Sequence, residues 1–102
     1  MVYFAMAWEI RLTRDALKNL RRLPLRIIDT VQVLFAELEL SGPIRTNWPH
    51  FGKLSRKNCY HCHVCRGRPT YVAVWQVMDK QGKIIEVIYV GTHERAHYDR
   101  LC

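Results

Sequence analysis

The amino-acid sequence predicts an α+β fold: an N-terminal strand, a two-helix hairpin, then a mainly antiparallel sheet of three or four further strands. Three observations carry this expectation. Apolar residues alternate with a period of two from Val2 to Leu12, recur at spacings of three and four from Ala16 to Leu38, and return as short strand-like runs between tight turns after Cys59. With 102 residues, a second independent core would leave each half too small to bury enough surface, so residues 1–102 are read as a single domain.

In the first segment Val2, Phe4, Met6, Trp8, Ile10 and Leu12 hold the even positions, which marks a strand with one buried face. Thr13 is placed to cap a helix with its hydroxyl, Asp15 suits the positive N-terminal end, and Ala16, Leu17, Leu20 and Leu23 follow at helical spacing. Pro24 ends this helix and opens a second as its first residue. Along the second, Ile27, Ile28, Val31, Leu34, Phe35 and Leu38 share a face, and Gly42-Pro43 stops it. Two helices so closely linked form an antiparallel hairpin whose apolar faces need a sheet to cover them. Trp8, Leu20, Ile28, Val31, Phe35, Leu38 and Val74 are the expected core contributors.

Residues 44–58 read as a loop with one short strand around Phe51 to Leu54. Cys59 to Arg66 reads as a strand, Gly67-Arg68-Pro69 as a turn, and Thr70 to Met78 as a strand apolar on both faces, hence central. Asp79 to Gly82 makes a hairpin turn, and Lys83 to Val90, rich in isoleucine and valine, is the last strand before a polar tail.

Charge narrows the class of partner. The formal charge is +7, and no Asp or Glu occurs between Glu39 and Asp79, where Arg45, Lys53, Arg56, Lys57, Arg66 and Arg68 all fall. Such a block attracts nucleic acid, an acidic protein or an anionic membrane surface; a solvated basic face is the plainer reading. The opening apolar stretch lacks a preceding basic residue and is broken by Glu9 and Arg11, so it reads as neither a signal peptide nor a membrane span. Cys59, Cys62 and Cys65 crowd into seven residues, and with Cys102 they are expected to be reduced thiols of a cytoplasmic protein.

The run Cys59-Tyr60-His61-Cys62-His63-Val64-Cys65 mixes zinc-binding side chains. On a regular strand, however, Cys59, His61, His63 and Cys65 point to one face about 6.6 Å apart in succession, too spread for a single tetrahedral ion. No metal and no cofactor is therefore expected, and His61 and His63 should face a basic groove.

Three segments, taken in order, carry a family resemblance. Trp48-Pro49-His50-Phe51-Gly52-Lys53-Leu54 resembles a basic segment before a central sheet, Tyr71-Val72-Ala73-Val74-Trp75-Gln76-Val77 a central strand, and Ile84 to Tyr98, with Val90-Gly91-Thr92-His93 inside it, a last strand and catalytic tail. The ordered set, at this chain length, resembles the RelE/ParE toxin superfamily and within it the RelE branch. The resemblance implies a RelE-like fold and a metal-independent endoribonuclease that cuts mRNA, usually on the ribosome, and so represses translation. It also implies a type II toxin–antitoxin system, with a cognate antitoxin that is acidic and encoded next to the toxin.

Such cleavage needs a base at the ribose 2′-hydroxyl, positive charge at the phosphate and an acid for the departing oxygen. Carried over by position, the resemblance implies catalytic roles for His93, Tyr98 and Lys53; Arg68 and His63, on the face that would receive RNA, are candidates beside them. Arg56, Lys57, Arg66, Arg95 and His97 are read as RNA-binding from their charge and clustering. His93 leads, because histidine titrates near neutrality and serves as either acid or base. Two positions depart from the family pattern: His63 and Val72 stand where many relatives carry arginine, and Arg66 and Arg68 beside the turn compensate in charge. Two other readings stay open at this point. One is a ParE-like, gyrase-directed toxin without ribonuclease activity, and the other a non-enzymatic RNA-binding or zinc module.

Overall fold

The structure, a computed structural model, describes residues 7–54 and 58–102. Val2 to Met6 of the alternating segment, and the basic pair Arg56 and Lys57, lie outside the described residues. The described part of the first strand is β1, Glu9–Leu12, and it alternates as expected: Ile10 and Leu12 pack on the core while Glu9 and Arg11 are exposed.

Thr13 ends the strand and starts helix α1, Arg14–Leu20. Its hydroxyl accepts the Ala16 N–H at 3.1 Å, and its own N–H donates to the Val87 carbonyl at 3.0 Å. A cap of this kind contributes about 1 kcal/mol. Pro24 sits one position earlier than the sequence predicts. Its backbone is extended, its carbonyl accepts from Ile27 and Ile28, and helix α2 runs from Leu25 to Ser41. At the far end Gly42 has φ +91, and a Cβ there would come within 2.9 Å of the Trp8 indole nitrogen, so only glycine closes the helix against the Trp8 side chain that precedes β1.

Four strands follow: β2, Gly52–Lys53; β3, Cys59–Cys65; β4, Tyr71–Asp79; and β5, Ile84–Thr92. The sheet order is β1-β5-β4-β3-β2, antiparallel except where β1 runs parallel to β5. The expected α+β architecture is thus present, with β4 central. Ala16, Ile27, Val31, Leu34 and Leu38 from the helices meet Cys62, Val64, Ala73, Trp75, Val87 and Val90 from one sheet face. The Trp75 indole is fully buried and donates its N–H to the Pro43 carbonyl at 3.1 Å, which removes the cost of burying that donor.

Three expectations about packing need correction. Val74 is fully buried in the core as expected, although its pairing with His61 sets it on the sheet face away from the helices, but Ile28 is only half-buried. Cys65 does not share a face with Cys59, His61 and His63. The β3–β4 register shifts between His63 and Cys65, leaving Val64 as the extra residue, and Cys65 pairs with Tyr71 on the core side. Nor are all four cysteines reduced. The tail brings Cys102 within 6.1 Å of Cys59 between Cα atoms, inside the reach of a disulfide, and the two are bonded, while Cys62 and Cys65 are free. Their separation of 43 residues hid a pair that only the folded tail creates. Among the described residues no helix is long and apolar enough to cross a membrane.

Candidate active site

The sheet face turned away from the helices carries the site. Strand alternation places His61 and His63 of β3 there, opposite Val74 and Val72 of β4, and these lie across from Tyr89 and Gly91 of β5. Tyr89 lies along its own strand, its hydroxyl donating to the Thr92 carbonyl at 2.7 Å. A Cβ on Gly91 would come within 2.6 Å of that hydroxyl, so glycine is what lets the ring lie flat.

Two further segments converge on these residues. The loop after α2 is tied down by Glu37, whose carboxylate accepts from Asn47 at 2.8 Å, the Trp48 indole at 3.0 Å and Arg45 at 3.2 Å. The Asn47 hydrogen bond, aided by those of Trp48 and Arg45, holds the Glu37 carboxyl below the usual carboxylate range although burial opposes this. So anchored, the loop lays Pro49 beside β3, its carbonyl accepting the His63 N–H at 2.8 Å. The next residue, His50, takes a left-handed backbone with φ 55 and sets its ring 4.2 Å from that of His63.

From the other side, β5 runs into a 3₁₀ turn, His93–Arg95, and a last short helix α3, Tyr98–Leu101. The His93 N–H donates to the Thr70 carbonyl at 2.9 Å, which holds the imidazole at the end of the sheet, 5.5 Å from the His63 ring between centroids. Tyr98 folds back, its ring 5.2 Å from His61 and 6.0 Å from His93. Its hydroxyl is buried without a hydrogen-bond partner among the described residues, and burial raises its pKa. The Cys59–Cys102 bond fastens the end of the tail to the start of β3.

Four of the chain's five histidines therefore meet on one face: His50, His61, His63 and His93. Burial lowers the pKa of His63, and the nearby imidazoles of His50, His93 and His61 lower it further. His61 is lowered chiefly by burial as well, although its Nδ1 lies 3.1 Å from the Gly52 carbonyl, a contact that opposes the shift. Both are thus held toward the neutral, proton-accepting form. Among the described residues no group of three or more His, Cys, Asp or Glu side chains is arranged to hold a metal ion.

Of the residues singled out from sequence, His63, His93 and Tyr98 come together here. Arg66 and Arg68 are exposed on the β3–β4 turn, at the end of the sheet where Thr70 meets His93. Lys53 pairs with Tyr60, whose ring packs on the core side, so the register sends Lys53 to the face opposite His61 and His63. Arg95 and His97 line a separate groove beside α1. His61, expected to face the basic groove, and His50 were not among the expected site residues. The period-two spacing of His61 and His63 was a usable signal for one, but nothing local marks His50, whose place depends on the Glu37 anchor.

No family model matches the chain, and no curated protein matches it. Solved structures do. The free E. coli RelE toxin, as a mutant, is 24% identical, covers 93% of each chain and superposes with a TM-score of 0.70. The intact E. coli RelBE toxin–antitoxin complex contains a chain 27% identical, with a TM-score of 0.68 over 87% of this chain and 100% of that one. An archaeal RelE–RelB complex from Pyrococcus horikoshii OT3 is 15% identical and reaches 0.66 over 87% of this chain and 98% of that one. With element order, sheet topology and these superpositions in agreement, the chain has the fold of the RelE toxins.

Proposed function

We propose that this protein is the toxin of a type II toxin–antitoxin system and cleaves mRNA without a metal, using the histidine cluster on the sheet face turned away from the helices. The observation that carries the reading is the approach of His63 and His93 to 5.5 Å, with His50 against the first and Tyr98 against the second. Two imidazoles at this spacing can flank one phosphodiester. His63, biased toward the neutral form, takes the proton from the ribose 2′-hydroxyl, whose oxygen then attacks the adjacent phosphorus. His93 delivers a proton to the departing 5′-oxygen, so that the products are a 2′,3′-cyclic phosphate and a 5′-hydroxyl end. The turn residues Arg66 and Arg68 supply positive charge to the phosphate, and Tyr98 offers a ring on which a base can stack.

The fold relatives that were solved as RelE–RelB complexes support a cognate antitoxin for this chain. With a formal charge of +7, the partner expected from complementarity is acidic. Action in the cytoplasm on ribosome-associated mRNA follows from the same reading, and Lys53, on the other face of the sheet, then serves a ribosomal or antitoxin contact more readily than the scissile phosphate.

The test is cleavage of a defined RNA by the purified chain in chelator, with the ends mapped. Products should carry 5′-hydroxyl ends, and a single 2′-deoxy substitution at the mapped position should abolish the cut. If the RNA stays intact both free and on translating ribosomes while DNA supercoiling by gyrase is inhibited, the gyrase-directed reading replaces this one.

A further inference from the structure

Beside the histidine cluster lies a second concave surface that the cleavage chemistry does not use. Strand β1 accompanies β5 only as far as Val87; beyond that point α1 flanks the strand. The space between them is a groove of about 590 Å³, with Asn19 and Arg22 on one wall, Tyr89 and Thr92 on the floor, and Arg95 and His97 from the tail on the other wall. An adjoining hollow of about 400 Å³ shares several of these residues and adds Lys18 and Arg100, against the single acid Asp15.

The groove and the adjoining hollow together are thus lined by Lys18, Arg22, Arg95 and Arg100, all exposed. None of them enters an ion pair among the described residues, where the pairs formed are Arg11–Glu9 and Arg45–Glu37. Four cations outnumber the acids near them, Asp15 on the wall and Glu94 within electrostatic reach of Tyr89, an arrangement that favours an external polyanion. The groove is also continuous with the cluster: Thr92 on its floor is followed directly by His93.

We propose that this groove binds the phosphodiester backbone of the RNA nucleotides flanking the scissile one, with Arg22 and Arg95 as its main phosphate contacts and Lys18 and Arg100 extending the track. The proposal rests on the ribonuclease reading above and adds to it the path of the substrate. It also gives Arg95 and His97 a place, since neither side chain takes part in the histidine cluster. A protein partner is the less fitting occupant, because the most exposed large apolar side chains, Leu25 and Leu40, which such a partner would bury, do not line the groove.

The experiment compares the wild-type chain with the double variant Lys18→Gln, Arg22→Gln, both exposed and remote from the core, after equal thermal midpoints confirm folding. The probe is a single-stranded RNA of about twelve nucleotides made uncleavable by one 2′-deoxy substitution, and its affinity is measured as a function of salt. Each lost phosphate contact flattens the log–log salt dependence by about 0.7 for a single strand, so the double variant should bind more weakly with a slope reduced by about 1.4. The loss should shrink for a dinucleotide probe, which is too short to reach the groove. If the wild type binds and cleaves RNA and the variant shows the same affinity and slope, the groove is not an RNA site, although the cleavage reading stands. The groove proposal is equally overturned if the variant keeps wild-type RNA binding and instead loses affinity for an acidic peptide. Should the wild type neither bind nor cleave any RNA, the cleavage reading fails and takes this proposal with it.

Discussion

The ring of His50 lies 4.2 Å from the ring of His63, tilted 31° to it, where the loop before β2 meets β3 through the hydrogen bond of the His63 N–H to the Pro49 carbonyl. This contact has an electrostatic consequence. After burial, His50 is the largest influence lowering the pKa of His63, ahead of His93 and His61. In the proposed cleavage His50 would thus help burial to keep His63 in its proton-accepting form.

Replacing His50 should show this directly. His50→Ala removes the neighbour whose electrostatic effect lowers the pKa of His63, so that pKa should rise, and the limb of the pH–rate profile on which the base loses its proton should move to higher pH. His50→Gln, which keeps bulk without charge, should shift the limb in the same direction. An unchanged profile with a lower plateau would mean that His50 acts only through packing.

Stability should depend on pH through the same cluster. Burial holds the folded-state pKa values of His61 and His63 below the ordinary imidazole value of about 6.5. The unfolded chain therefore binds more protons across the interval between the folded and unfolded values. Their contribution to stability is fully present above about pH 6.5 and is lost as the pH falls through the folded values. Urea midpoints measured downward from pH 7.5 should fall, and His61→Gln, His63→Gln should flatten the decline. An equally steep decline in that double variant would assign it to other groups.

Core substitutions should separate the fully buried from the half-buried positions. Leu38 is fully buried and Phe35 only partly so. Leu38→Ala should cost roughly 2 to 5 kcal/mol, and Phe35→Ala should fall below the roughly 3 to 5 kcal/mol usual for a buried phenylalanine. A larger loss at Phe35 would contradict its placement at the edge of the core.

These contrasts show what could be read from sequence. The alternation around Ile10 and Leu12, the cap at Thr13 and the spacing of Ile27, Val31, Leu34 and Leu38 are local patterns, and each produced the element it announces. What escaped depends on distance or on a single irregularity. One extra residue at Val64 turns Cys65 to the core side and breaks the regular alternation on which the face assignment relied. The Cys59–Cys102 pairing and the placement of His50 require the folded tail and the Glu37 anchor, which no spacing rule contains. Lys53 was assigned by family position alone, whereas register with Tyr60 decides its face.

The cysteines give an independent check on that bulge. Cys62 is fully buried, and burial, with Glu37 nearby, pushes its thiol up to about 12, so it should resist alkylation in the native state. Cys65 is only partly buried and should be modified first. After reduction Cys102, exposed at the end of the chain, should react before the buried Cys59. Mass mapping of alkylated native protein reads this order, and rapid modification of Cys62 would contradict the packing of β3.

The central claim is that His63 and His93 act as a pair on one phosphodiester. Its most direct test is the single-turnover cleavage rate of His63→Ala, His93→Ala and the double variant on the same RNA, with antitoxin binding or thermal unfolding confirming that each is folded. A positioned acid or base contributes roughly 10²- to 10⁴-fold, so each single variant should lose that much, and the double should lose less than the product of the two because they serve one transition state. Full wild-type rates in both single variants would contradict the account and move the chemistry to electrostatic stabilisation by Arg66 and Arg68.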